Sequence, residues 1–227
     1  MGTKPQSRMD SWFDPRLQHP FSCVISGPSN SGKTYFVKML LDNAEVVFSK
    51  EIQNIVWVYS CWQPLYDELL KVRELHFIEG LPTSLCDDNL LPIQKNNLLI
   101  IDDLMKSASE SLEMERVFTQ YSHHRNLSAI YLVQNMFVKG KSSRTINLNT
   151  NYLILFENPR DNQQISILGR QIYPGLSRFF MESFKDATHP PFGYLLIDFK
   201  ATTPEDYRLR TGLFSGDWPV VYVPKKV

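Results

Sequence analysis

The chain has 227 residues, of which 43% are hydrophobic and 21% are charged, and its 24 basic residues balance its 24 acidic ones. This composition is typical of a folded globular protein and excludes a disordered chain, and one domain is expected at this length. No apolar run approaches the roughly 18 residues of a membrane-spanning helix, and zero net charge argues against nucleic-acid binding by bulk charge alone. Three cysteines, an odd number, favour a reducing compartment, so we expect an intracellular protein without a membrane partner.

Residues 1–20 are polar, include three prolines and lack periodicity, which predicts an arm before a single domain at residues 21–227. Within that domain, apolar runs alternate with helix-like segments. The runs that predict strands are residues 21–26, 54–59, 75–78, 97–103, 128–134 and 152–156. Helices are predicted directly after Thr34, over residues 112–123 and around residues 163–171. The alternation indicates an α/β fold with a mostly parallel sheet flanked by helices.

The tail differs in kind from the rest of the chain. Residues 194–198, 207–214 and 220–223 resemble strands, and turn sequences such as HPPFG and TTPED separate them. We therefore expect a C-terminal β extension from about residue 190, which adds strands to one edge of the sheet.

A phosphate-binding loop is predicted at residues 27–34, where GPSNSGKT matches the pattern G-x-x-x-x-G-K-[ST] between a strand and an amphipathic helix. Its residues are Gly27, Pro28, Ser29, Asn30, Ser31, Gly32, Lys33 and Thr34. Glycines let backbone N–H groups surround phosphate oxygens, Lys33 can reach the β- and γ-phosphates, and the Thr34 hydroxyl can bind Mg²⁺. The motif predicts a nucleotide site for ATP and Mg²⁺.

Two carboxylates end the apolar strand at residues 97–103, at the sheet edge where the phosphates would lie. Asp102 is predicted to hold Mg²⁺, and Asp103 to act as general base toward a water molecule. Gln134 ends the next strand and could contact the γ-phosphate or that water. For Asp103 the alternative is a solvated loop acid, and for Gln134 a loop-capping amide.

The predicted strand at residues 54–59 lies between the phosphate loop and the acidic strand in the sequence, and a strand with a terminal amide follows. This order resembles the additional-strand, catalytic-acid (RecA-like) division of P-loop ATPases, most of which are ring-forming motors.

Five segments in this order resemble the viral DNA-packaging ATPases of the FtsK–HerA superfamily, found in poxviruses, Polinton/Maverick elements and adintoviruses. They are GPSNSGKT, LLIIDDL, YSHHRNLSAIYLVQNMF, RTINLNTNYLILFENPRD and GYLLID…RLRTGLF, which together span about residues 21–214. The first two are common to such ATPases, whereas the third segment, with its HHRN sequence, and the RTINLNTNY part of the fourth are more specific. Asp103 departs from the pattern, because many members have glutamate there.

The resemblance implies a homo-oligomeric ring, usually a hexamer, that hydrolyses ATP to drive double-stranded DNA into a capsid. It implies a capsid or vertex protein as partner, and location in the infected host cell and at the capsid or virion. It also implies an arginine that reaches the γ-phosphate of the neighbouring subunit. Arg144 is the favoured candidate and Arg125 the alternative, and a solvated surface arginine is an equal possibility for each.

Charge is unevenly distributed along the chain: residues 42–115 hold 5 basic and 14 acidic residues, and residues 116–178 hold 8 basic and 2 acidic ones. A basic band could line a pore and contact DNA without reading its sequence, or could form a subunit edge complementary to an acidic one. Two other functions stay open: a P-loop small-molecule kinase, with Lys139, Lys141 and Arg144 in a lid, and a nucleotide-gated assembly protein with slow hydrolysis.

Overall fold

A computed structural model describes residues 13–72, 74–85, 87–104, 111–121, 125–135 and 141–225. The predicted helix end at 122–123, the lid residue Lys139 and the side chain of Lys141 lie outside these described parts. In the described ranges, no helix combines the length and the apolar character needed to cross a bilayer.

A nine-stranded sheet forms the centre of the fold. Its strands are β1 (Ser22–Ser26), β2 (Asn54–Tyr59), β3 (His76–Glu79), β4 (Asn97–Asp102), β5 (Leu127–Val133), β6 (Tyr152–Phe156), β7 (Tyr194–Asp198), β8 (Leu209–Thr211) and β9 (Val220–Tyr222). They lie in the order β3-β2-β4-β5-β1-β6-β7-β8-β9. The first six in this order run parallel, and β7, β8 and β9 are added antiparallel at the β6 edge. The predicted fold class and the C-terminal extension of the sheet are confirmed.

The described helices are α1 (Lys33–Asp42), α2 (Ala44–Val47), α3 (Pro64–Val72), α4 (Leu112–Arg116), α5 (Lys141–Leu148), α6 (Asn162–Ile172) and α7 (Ser177–Thr188). A π-helical segment, Val117–Tyr121, continues α4, and a 3₁₀ turn covers Glu205–Tyr207. The sequence patterns predicted α1, α4 and α6. They did not predict α2, α3, α5 and α7.

Two apolar clusters pack on opposite faces of the sheet, so the inner strands are buried on both sides. In β4, Leu99 and Ile101 belong to one cluster, and Leu98 and Ile100 to the other. All six residues of β4 are buried. Burial on both faces is why these strands appear in the sequence as continuous apolar runs without alternation.

Part of the predicted N-terminal arm packs against the domain. The Leu17 side chain is fully buried, its N–H donates to the Val47 carbonyl at 2.8 Å, and its carbonyl accepts from the Ser49 N–H at 3.0 Å. His19 is buried as well. These residues belong to the core because Leu17 fills apolar space beside α2, so the packed domain begins before residue 21.

The strand that separates the loop strand β1 from the acidic strand β4 in space is β5, whereas β2 lies on the far side of β4. Parallel pairing of β5 with both neighbours brings the carboxyl ends of all three strands to one edge. The phosphate loop, the acids and the terminal amide therefore meet at that edge.

Candidate active site

The phosphate loop joins β1 to α1 in a conformation that requires glycine at two positions. Gly32 has a φ of +94°, which L side chains rarely adopt. At Gly27, an added Cβ would lie 2.7 Å from both Phe156 Cβ and Ser31 Oγ. Ser31 Oγ is itself buried without a hydrogen-bond partner among the described residues. An unpaired buried hydroxyl inside this loop is consistent with a site for an anion's oxygen.

Lys33 folds back over the loop that precedes it. Its Nζ donates to the carbonyl oxygens of Gly27 at 2.7 Å and Pro28 at 2.8 Å. Burial lowers the pKa of Lys33, while the charges of Asp102 and Asp103 oppose that change. The ammonium group is thus held at the mouth of the loop, where a phosphate group would meet it.

Asp102 is buried at the end of β4 and accepts two hydrogen bonds on the same oxygen. Thr34 Oγ1 donates to Asp102 Oδ2 at 3.1 Å, and the buried Tyr66 hydroxyl of α3 donates at 2.8 Å. Burial raises the pKa of Asp102, and the bonds from Tyr66 and Thr34 oppose the rise by favouring the carboxylate. The interaction with Tyr66 fixes the orientation of the carboxyl group.

Asp103 and Gln134 are joined on the exposed side of the same edge. Gln134 Nε2 donates to Asp103 Oδ1 at 3.0 Å, and Asp103 has a φ of +55°. This left-handed backbone turns the chain directly after β4, so successive acids occupy a buried and an exposed position. The pair supplies a carboxylate and an amide beside the loop.

These groups line one cleft of about 420 Å³. Its lining includes Lys33, Thr34, Asp102, Asp103 and Gln134, together with loop residues Ser29, Asn30 and Gly32 and with Tyr35, Gln63, Leu65 and Leu132. Pro28 enters through its carbonyl, which holds Lys33. The structure thus brings together the phosphate loop, both acids and the amide.

Mg²⁺ fits the donor set of the cleft. Thr34 and Asp102 present hard oxygen ligands that already lie within 3.1 Å of each other, and Mg²⁺ is typically held by one or two such groups together with phosphate oxygens. The residues predicted from the sequence to hold the metal are therefore adjacent.

The two candidate arginines do not line the cleft. Arg125 Nη1 pairs with Asp88 Oδ1 at 2.7 Å, and its guanidinium lies 5.6 Å from the Tyr121 ring centre. Arg144 is exposed on α5. The described residues that line the cleft include neither arginine, so a role toward a neighbouring subunit stays a prediction.

Sequence patterns missed Tyr66, Gln63 and Leu65. As an aromatic residue, Tyr66 is expected to pack in the core or at an interface or to stack on a base, and its ring does contact Trp57, with centroids 5.3 Å apart. Its hydroxyl, however, points to Asp102, which no local pattern signals because 36 residues separate the two.

The fold is similar to that of known P-loop ATPases. The genome packaging NTPase B204 from Sulfolobus turreted icosahedral virus 2, in complex with AMPPCP, has a TM-score of 0.54 at 14% identity, over 94% of this chain and 100% of that one. Its complex with ATP-gammaS gives 0.51 at 13% identity, over 93% and 99%. The cytoplasmic domain of the type VII secretion ATPase EccC from Thermomonospora curvata gives 0.53 at 14% identity, over 85% of this chain and 26% of that one.

No protein-family model and no curated protein matches the chain. At 13–14% identity the structural similarity shows a shared fold. The resemblance to packaging ATPases that the sequence motifs indicated is confirmed at that level.

Proposed function

We propose that the protein is an ATP-hydrolysing motor that moves double-stranded DNA into a viral capsid. One observation carries the ATPase part: a phosphate loop, a buried acid, an exposed acid and an amide line a single cleft at the carboxyl edge of the sheet. A cleft that only stored nucleotide would not need a second, exposed acid joined to an amide.

Each side chain has a distinct part in the proposed hydrolysis. Lys33 leaves its carbonyl partners and binds the β- and γ-phosphates, to which the loop N–H groups also donate. Asp103 accepts the proton of the attacking water, and Gln134, held by Asp103, orients that water. Tyr66 positions Asp102 and does not meet the substrate.

Thr34 and Asp102 are the residues that would hold Mg²⁺. When bound, the ion neutralises charge that develops on the phosphate oxygens. Their hydrogen bond at 3.1 Å keeps the two oxygens on one side of the cleft.

The DNA-packaging part rests on two supports. The fold is similar to that of B204, which is described as a genome packaging NTPase. The chain also divides into an acidic stretch at residues 42–115 and a basic stretch at residues 116–178. In a homo-oligomeric ring, such stretches suit opposed subunit edges or a cationic pore that binds the DNA backbone without reading its sequence.

Arg144 is the preferred arginine for a neighbouring active site, because it is exposed and forms no ion pair within the described parts of the chain. Arg125 is bound to Asp88 and would have to give up that contact. A capsid or vertex protein as partner, and location in the infected cell and at the capsid, belong to the same proposal.

The test is ATP turnover with and without double-stranded DNA, on material fractionated by oligomeric state. DNA should make the ring fraction of the wild-type protein release phosphate faster. This stimulation by DNA should be smaller at high salt. The variant Lys33→Ala should lose turnover and keep its fold by circular dichroism. Turnover that survives in Lys33→Ala would disprove the assignment of the site.

The same assay separates the two other candidate functions. A small-molecule kinase would yield a phosphorylated product and no DNA stimulation. A nucleotide-gated assembly protein would form rings with ATP while its turnover stayed slow with or without DNA.

A further inference from the structure

A second cavity adjoins the phosphate cleft at the start of α1. Its volume is about 450 Å³, within the ~300–1,000 Å³ range of small-molecule sites. Gly32 and Tyr35 line both cavities. A ligand whose phosphates occupy the loop can therefore extend past these two residues into the second cavity.

Exposed aromatic side chains line this second cavity. Phe192 is 68% exposed, Trp218 is 90% exposed and Tyr35 is 51% exposed. Single exposed aromatic residues are common on protein surfaces, but here three of them line one cavity and present flat apolar faces there. Such faces stack on nucleobases irrespective of base identity.

Phe192 is held in an unfavourable backbone conformation. The Gly193 N–H donates to the Pro190 carbonyl at 2.8 Å, which closes a turn with Pro191 and Phe192 at its centre. Phe192 has a φ of +60°, a value normally adopted in turns by glycine or asparagine. Burial does not compensate for the strain, because the ring is mostly exposed. Strained residues of this kind cluster at active sites, ligand contacts and switch regions.

The strained turn presents the Phe192 ring directly to the phosphate loop. A Cβ added at Gly32 would lie 2.8 Å from Phe192 Cδ1. The ring thus packs on the loop backbone at the junction of the two cavities. A base that extends from a loop-bound triphosphate into the second cavity would therefore lie beside this ring.

We infer that the second cavity binds the base of the nucleotide and that Phe192 is a base-stacking residue, an inference that rests on the proposed ATPase function. The cavity is lined by two carboxylates, Asp186 and Asp217, which repel phosphate and so disfavour a DNA backbone as the occupant. Thr211, Gly212 and Phe214 also line it. Part of the RLRTGLF segment, which contributed to the resemblance, therefore lines the second cavity.

The experiment compares the affinities of ATP and inorganic tripolyphosphate, both with Mg²⁺, by calorimetry. Phe192→Gly should weaken ATP binding roughly 5- to 100-fold and leave tripolyphosphate binding unchanged, because tripolyphosphate has no base to stack. The variant should fold, since glycine is favoured at a positive φ. Leu112→Ala is the matched control: Leu112 is also 68% exposed and lies outside both cavities, so ATP affinity should not change.

Failure of this inference is distinguishable from failure of the proposed function. Lys33→Ala should weaken both ligands, and if it weakens neither, the ATPase site itself is wrong. If Lys33→Ala weakens both while Phe192→Gly leaves ATP affinity intact, the base site is wrong and the ATPase site stands. Equal weakening of both ligands by Phe192→Gly would mean that the ring supports the loop, which also overturns the inference.

Discussion

Asp103 is the residue on which the proposed chemistry depends most. Its backbone conformation allows a substitution that tests its role as general base. Asparagine tolerates the left-handed φ of +55° as well as aspartate does, so Asp103→Asn changes the charge and the basicity without disturbing the turn. We expect the turnover number for ATP to fall by about 10²- to 10⁴-fold, the usual effect of removing a general base. The affinity for ATP should not decrease, because the substitution removes a negative charge beside the phosphate groups, and steady-state turnover together with calorimetry measures both quantities.

The control for this change is Glu157→Gln. Glu157 is an exposed acid that directly follows β6, at the same edge of the sheet, and it does not line the cleft. Its replacement should leave turnover at the wild-type value. If Asp103→Asn retained full turnover, Asp103 would be a solvated loop acid and the water would need another base.

The site residues that could be predicted from the sequence are those that belong to a local sequence pattern. Lys33 and Thr34 belong to one continuous motif, Asp102 ends β4 and Gln134 directly follows β5, so the sequence pattern places them at one edge of the sheet. Tyr66 could not be predicted, because its bond to Asp102 depends on how α3 packs. The HPPFG segment was predicted as a turn, yet the contact of Phe192 with Gly32 joins residues 160 positions apart.

At the scale of elements, a buried ion pair fastens the C-terminal extension. Arg210 Nη2 of β8 bonds Asp198 Oδ2 of β7 at 2.8 Å, and Arg210 Nη1 donates to the Pro15 carbonyl at 3.1 Å. Both charged side chains are buried. Arg210→Ala should lower the free energy of unfolding by about 3–5 kcal/mol, because Asp198 is left buried without its counter-charge. Urea denaturation measures this loss.

An exposed ion pair gives the matched comparison for Arg210. Arg178 Nε and Glu182 Oε1 also lie 2.8 Å apart, but both side chains are largely exposed on α7. Arg178→Ala should cost about 1 kcal/mol or less, since water screens such pairs. Equal losses for the two variants would contradict the view that burial makes the pair at Arg210 important.

Strands were easier to predict than helices, for a physical reason. Inner strands are buried on both faces, so β2 and β6 appear as unbroken apolar runs with their observed bounds. The helix α5 has the sequence KSSRTINL, in which Ile146 and Leu148 are the apolar residues, so no apolar run marks it in the sequence. The position of β5 between β1 and β4 could not be read from chain order, because it is a property of strand pairing.

At the scale of the whole molecule, the charge division follows the sheet. The acidic stretch contains β2, β3 and β4, which form one end of the sheet, and the basic stretch contains β5 and β6. Zero net charge therefore hides a polarised molecule. In the proposed ring, polarisation of this kind would favour head-to-tail contact between copies, and salt would weaken that contact by screening the charges.

The stability of the whole molecule should also depend on pH through one buried histidine. His19 Nδ1 lies 2.6 Å from Ser128 Oγ of β5, and this contact fastens the N-terminal segment to the sheet. Burial, assisted by the charge of Lys50, lowers the pKa of His19 to about 4. In the unfolded chain the pKa is about 6.5, so between these values the unfolded state binds more protons than the folded state.

The contribution of neutral His19 to the free energy of unfolding should therefore be complete above about pH 6.5. This contribution should decrease as the pH falls toward 4. Each pKa unit corresponds to about 1.4 kcal/mol, which sets the loss at up to about 3 kcal/mol. The glutamine in His19→Gln cannot titrate. The difference in free energy of unfolding between wild type and this variant should therefore shrink by up to about 3 kcal/mol from pH 6.5 to pH 4, whatever the substitution costs at neutral pH.

The control is His76→Gln, at an exposed position of β3, which should follow the wild-type profile of stability against pH. A constant difference between wild type and His19→Gln from pH 7 to 4 would show that His19 is protonated as easily in the folded protein as in the unfolded chain.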